Sequence, residues 1–142
     1  GAEQVCLNSQ AGVCLMHMHG EPLTMQASPM SGDAVPQVVA FLKERQAALI
    51  RQGMSADRIV LDPGIGFGKT VEQNFSLLAR QQELSAFGPV LAGWSRKSAL
   101  GAVTGFSAEQ RQVPSVLAAV MAVERGAALV RVHDVAATNG TK

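Results

Sequence analysis

The sequence predicts an α/β protein built on a parallel sheet, and three observations carry that prediction. Four short apolar runs recur, at Gly12–Met16, Arg58–Leu61, Pro89–Ala92 and Ala127–Val130. Each is near-continuously apolar instead of alternating, as strands buried on both faces are. A turn and then a stretch with helical spacing follow, and the starts lie about 30 to 45 residues apart, one βα unit each. A doubly wound sheet and a barrel both satisfy this pattern.

Gly1–Ser9 reads as the tail of a helix before the first strand. After that strand, Val35, Val38, Val39, Leu42, Leu49 and Ile50 keep helical spacing, and Gly53 sits where a C-terminal cap belongs. Phe75, Leu78 and Leu84 mark a second helix, ending before Gly88-Pro89. The third opens near Pro114, tolerated in a first turn, and runs through Leu117, Val120 and Met121 to Gly126. No helix is evident after His133-Asp134, and Asn139–Lys142 reads as a turn. The 142 residues form a single unit, about half of the roughly 250 residues of a complete eight-unit barrel. The first half and the last helix are missing from the expectation.

Composition excludes several classes. Twelve Lys and Arg against eleven Asp and Glu leave a net charge of +1, without the basic field that holds nucleic acid or an anionic membrane. The longest apolar run, Val116–Val123, is far short of the roughly 20 residues of a membrane span. Cys6 and Cys14 match neither a C-x-x-C pair nor a disulfide framework, so reduced thiols in a cytoplasm are expected.

Polar residues gather where each strand ends, at the carboxyl edge where parallel α/β folds bind ligands. The ends read Met16–Pro22, Asp62–Thr70, Gly93–Ser98 and Arg131–Asp134. The glycine-rich loop is not a phosphate-binding P-loop, because Pro63 stands where the first Gly is required. A dinucleotide fingerprint fails too, its third Gly falling on Lys69. His17 and His19 are two apart, which on a strand puts them on one face, with Met16 and Met18 opposite. That spacing can bind zinc, with His133, Asp62 and Asp134 completing a barrel metallohydrolase site, but the favoured reading of the two residues alone is one histidine packed at the rim and the other solvated. Ser95-Arg96-Lys97-Ser98 at a helix start, with Arg131 and His133, makes a cationic wall suited to phosphate or diphosphate. The alternative for those cations is an ion pair with Asp62 or Asp134.

Together, Val13–Pro22 with Thr24-Met25-Gln26, Leu61–Lys69, Gly93–Ser98 and Arg131–Asp134 resemble the dihydropteroate synthases, in that family's order and over nearly the whole chain. The resemblance implies a TIM (β/α)8 barrel, of which these residues supply strands five to eight. It implies a transferase of folate biosynthesis that condenses 7,8-dihydropterin-6-ylmethyl diphosphate with 4-aminobenzoate and is the target of sulfonamides. Catalysis would fall to Asp62, Lys97, Arg131 and His133. Met16, Phe67, Leu91, Gly93, Ser95, Arg96 and Ser98 would join them in binding substrate. Mg2+ is implied as cofactor, its ligand upstream of this half, and a homodimer is implied through the Ser115–Gly126 helix. Trp94 and Ile65 depart from the residues usual in the family. Two other expectations stand beside this one: the zinc metallohydrolase, and a non-catalytic half-barrel that dimerises to close its edges.

Overall fold

A computed structural model describes residues 1–140. Four parallel strands form one sheet: β1 (Val13–Met16), β2 (Ile59–Asp62), β3 (Val90–Ala92) and β4 (Ala127–Val130). Their spatial order is β1-β2-β3-β4, the order of the chain. A doubly wound sheet reverses its strand order at a switch point so that helices cover both faces. This sheet never reverses, so its right-handed crossovers all fall on one face, as in a barrel. The architecture is four βα units, half of a (β/α)8 barrel.

The crossovers are α2 (Ala34–Arg51), α3 (Val71–Ala79) with α4 (Gln82–Ser85), and α5 (Ser98–Thr104) with α6 (Gln112–Glu124); α1 (Ala2–Leu7) precedes β1. Asp33 caps α2 by accepting from the Val35 N–H, and Thr70 and Gln73 form a reciprocal capping box at the start of α3. The α2 residues Val35, Val38, Leu42 and Leu49 are buried with Ile59, Leu61, Val90, Leu77, Leu78 and Trp94 in the core between sheet and helices.

Three local expectations are corrected. The second helical stretch is two helices, broken at Arg80-Gln81, where the buried Gln81 amide donates to the carbonyls of Ala122 and Arg125. Val135–Asn139 forms a one-turn helix, α7, where none was expected. The outer strands are not buried on both faces: Cys14 on β1 and Leu129 on β4, the latter 45% exposed, lie open on the concave side. Thr141 and Lys142, the end of the expected turn, lie outside the described residues. Among those described, no helix is long and apolar enough to cross a membrane.

Candidate functional site

Pleating decides which strand-end residues can meet. Met16 is in register with Asp62, and Ala92 with Val130, so Gly93 and Arg131 follow side by side one residue on. Arg131 N–H also donates to the Ala92 carbonyl, carrying the ladder past the end of β4. Gly93 makes room for the arginine: a Cβ there would lie 2.9 Å from Nη2. Across that gap Arg131 Nη2 comes within 3.7 Å of Asp62 Oδ2.

Asp62 is buried. Its Oδ1 accepts from the Gly64 N–H at 2.7 Å, while Oδ2 has no hydrogen-bond partner among the described residues. Burial pushes its pKa up, against the pull of the Gly64 hydrogen bond and of Arg131, Lys97 and Lys69. Lys97 has its pKa lowered by burial and by the Arg131 charge, with Asp62 opposing, and its Nζ stands 4.3 Å from the centre of the Phe67 ring. That approach needs Gly66, at φ 82°, whose absent Cβ would lie 3.3 Å from Lys97 Cδ.

Ser95 links two strand ends. Its Oγ accepts from the His133 N–H at 3.1 Å and lies 2.9 Å from His133 Nδ1. With the hydroxyl donating to Nδ1, the ring proton sits on Nε2, where it can be offered to an anion. Gly93, Ser95, Lys97, Arg131, Val132 and His133 line a cavity of about 260 Å3. A larger cleft of about 660 Å3, between α6, β4 and α7, is apolar and carries none of the strand-end acids.

Sequence reasoning thus placed Asp62, Phe67, Gly93, Ser95, Lys97, Arg131 and His133 in one neighbourhood, and the structure brings them together. Met16 sits on the strand next to Asp62, half-buried, and Leu91 lies one layer deeper, paired with Leu129. Ser98 is exposed in the first turn of α5. Arg96 is drawn elsewhere: its guanidinium holds Asp134 at 2.9 and 3.2 Å, the ion-pair alternative for this cation. Its backbone is left-handed, at φ 58°, pinned by Ser115 Oγ at its N–H and by Arg111 at its carbonyl. Trp94 is turned into the core against Phe75.

The zinc reading is corrected. β1 ends at Met16, and the buried His17 ring packs edge-on against Phe41 of α2, centroids 5.1 Å apart, while His19 is exposed. Burial, with the charge of Lys69, lowers the His17 pKa to about 4. Among the described residues no three His, Cys, Asp or Glu side chains gather as a metal ion requires.

Residues that motif reading left aside hold the glycine-rich loop. Lys69 is 3% exposed and donates to the carbonyls of Gly64 and Phe67, at 2.9 and 3.1 Å. Asn74 accepts from the Gly66 N–H, and Gln73 donates to Met30 and Gly32 of the loop after β1. Only the T-x-x-Q spacing of Thr70 and Gln73, a capping-box signature, signals any of this in the sequence.

A family model for pterin binding enzymes matches residues 2–133. The chain belongs to that family. Among pterin binding enzymes, the dihydropteroate synthase of Haemophilus influenzae is 46% identical over 128 residues, 89% of this chain and 46% of that protein. The structure of Burkholderia cenocepacia dihydropteroate synthase complexed with 7,8-dihydropteroate superposes with a TM-score of 0.90 at 49% identity, over 99% of this chain and 53% of that one. A Yersinia pestis dihydropteroate synthase in a sulfonamide drug complex gives a TM-score of 0.94 at 39% identity, over 99% of this chain and 51% of that one. The chain spans about half the length of the relatives it matches.

Proposed function

We propose that these four strand ends are the pterin side of a dihydropteroate synthase, strands five to eight of its barrel. The reaction condenses 7,8-dihydropterin-6-ylmethyl diphosphate with 4-aminobenzoate. The observation that carries this reading is Asp62 Oδ2, a buried carboxylate oxygen without a hydrogen bond, at the edge of a cavity whose other charges are positive. A buried acceptor of this kind is left for a ligand that brings its own N–H donors, as the amino-pyrimidine edge of a pterin does. The relatives bound to 7,8-dihydropteroate and to a sulfonamide support the same ligand classes here.

In this reading the Asp62 carboxylate accepts from the pterin ring and stabilises positive charge that builds on it. The C–O bond to diphosphate breaks with both electrons leaving on oxygen. The aminobenzoate nitrogen then bonds to the pterin methylene carbon and gives up a proton. Arg131, its flat guanidinium over Gly93, stacks on the ring, and His133 Nε2–H donates to the departing diphosphate. Lys97 donates to the ring's acceptors. Met16 and Leu91 give the slot apolar walls, Phe67 flanks aminobenzoate, and Ser98 meets its carboxylate. Arg96 contributes through Asp134, steadying the Gly93–Ser98 loop against the strand end that carries His133.

Mg2+, implied by the family likeness, has its expected ligand outside these four strand ends, and the acids at the strand ends offer it no seat. The unpaired Asp62 oxygen faces Arg131, Lys97 and Lys69, a setting that repels a cation, so no step here runs through the metal. A cytoplasmic location rests on two free cysteines. A homodimer rests on an exposed apolar row along α6, Val113, Leu117 and Met121.

Calorimetric titration with a pterin tests the assignment, in the unsubstituted chain and in Asp62→Asn. Saturable binding that the substitution weakens about 30- to 100-fold is expected. Equal binding by both chains would overturn the role of Asp62.

A further inference from the structure

Lys69 is the buried charge that the proposed chemistry does not use, and its surroundings are unusual. Its ammonium reaches the carbonyls of Gly64 and Phe67, and that of His17 at 3.5 Å. Two of these oxygens belong to one tight turn, since Phe67 N–H donates to the Gly64 carbonyl at 3.1 Å. The third belongs to the end of the neighbouring strand. The turn can lie this close only because Gly64, at φ 70°, has no side chain: a Cβ would sit 1.8 Å from the His17 oxygen. Among the described residues, and apart from Lys69, the Phe67 carbonyl has only a long contact from the His19 N–H, at 3.5 Å.

Stability alone is a poor reason for such a lysine. Burying an ammonium costs several kcal/mol before any partner is found, and an apolar side chain of similar length avoids that cost. What a cation achieves and an apolar chain cannot is convergence, drawing three carbonyl dipoles toward one point. Phe67 hangs from this gathered turn, and its ring is what Lys97 Nζ stands over.

We infer that Lys69 is a positioning residue, whose ammonium gathers the Gly64, Phe67 and His17 carbonyls and thereby sets the Phe67 ring against Lys97. Its influence on the site runs through Phe67, without touching a ligand. The use made of the ring rests on the transferase reading; where the ring stands does not.

Nuclear magnetic resonance on the 142-residue chain tests this without any ligand. In Lys69→Met, the side-chain methylenes of Lys97 should lose their ring-current shift, and the Gly66 and Phe67 amides should exchange at least about tenfold faster. The β2 and β3 amides should keep their protection, a pattern that general loosening would not produce. Lys69→Arg, which keeps a cation, should restore part of the Lys97 shift. An unchanged Lys97 shift in Lys69→Met would overturn the inference. Should that variant not fold, the unsubstituted chain decides: a slowly exchanging Lys69 ammonium coupled through hydrogen bonds to the Gly64 and Phe67 carbonyl carbons is expected. A rapidly exchanging, uncoupled one would sink the idea. A chain that passes these tests yet binds no pterin would remove the transferase reading and leave Lys69 in its role.

Discussion

Asp62 Oδ2 and Arg131 Nη2 stand 3.7 Å apart, near enough to feel each other's charge and too far for a hydrogen bond. The two are unequally solvated: the arginine side chain is 57% exposed, the carboxylate 2%. The arginine keeps water while the acid has given up its own, so the cost of the arrangement falls on Asp62.

Replacing that acid should therefore stabilise the fold while destroying the site. Asn at position 62 can keep the acceptor for the Gly64 N–H and removes the buried negative charge. We expect Asp62→Asn to unfold at higher temperature, by about 1–2 kcal/mol of stability. Pterin affinity should fall about 30- to 100-fold, the equivalent of one charge-assisted hydrogen bond pair. Calorimetric scans and titrations on one sample read both, and a lower unfolding temperature would contradict the account.

His17 makes the fold sensitive to acid. Its folded pKa of about 4 lies below the 6.5 of an ordinary histidine, because burial and then Lys69 disfavour the imidazolium. Between these values the unfolded chain binds the extra proton, so stability is complete above about 6.5 and is lost as pH falls toward 4. The loss should be on the order of 2 kcal/mol, allowing for partial solvation. Asp62, whose pKa is raised, contributes in the opposite sense, losing stability as pH rises through its range. The difference between the wild type and His17→Phe isolates the histidine. Denaturant midpoints from pH 7 to pH 4 should fall less in the variant, and parallel curves would exclude His17.

Two glycines should respond differently to alanine. At Gly93 the new Cβ meets only the far end of a mobile arginine, 2.9 Å away, so the chain should fold with less than about 1 kcal/mol lost and bind pterin poorly. At Gly64 the Cβ would meet the His17 backbone oxygen at 1.8 Å in a left-handed conformation, and a loss of about 3 kcal/mol or more is expected. Urea unfolding of both variants checks the contrast.

Arg96 combines strain with a surface ion pair. Arg96→Gly relieves the left-handed backbone, by about 1 kcal/mol, and loses a half-exposed pair with Asp134 that solvent screens. It should be at least as stable as wild type, and Arg96→Val about 1–2 kcal/mol below it. Matching denaturation midpoints for Gly and Val would show that the φ value carries no strain.

Much of this was legible in the sequence, for a simple reason. Buried parallel strands must be apolar, so Asp62, Lys97 and Arg131 could only mark the ends, and parallel register puts such ends together. The packed-and-solvated reading of His17 and His19 holds; their same-face zinc pairing fails because the two-residue period cannot be carried past Met16, where β1 stops and the His17 ring turns to Phe41. α5 was hard to delimit because Ser98–Thr104 is short and holds Gly101, a weak helix former beneath the Arg111 guanidinium. Leu129 looked like core because a strand cannot reveal how many neighbours its sheet has. Nothing near Lys69 announced its burial, since lysines in loops are ordinarily solvated.

Neighbouring strands lie about 4.8 Å apart, so side chains two strands removed start roughly 10 Å from each other. Asp62 and Arg131 belong to such a pair, one on β2 and the other beyond β4, with β3 between them. They meet because the intervening position is Gly93, the one residue type that leaves the corridor empty. The charge geometry of the pocket is therefore governed by an atom that is not there, and any side chain at 93 would act as a wall between two groups it never replaces.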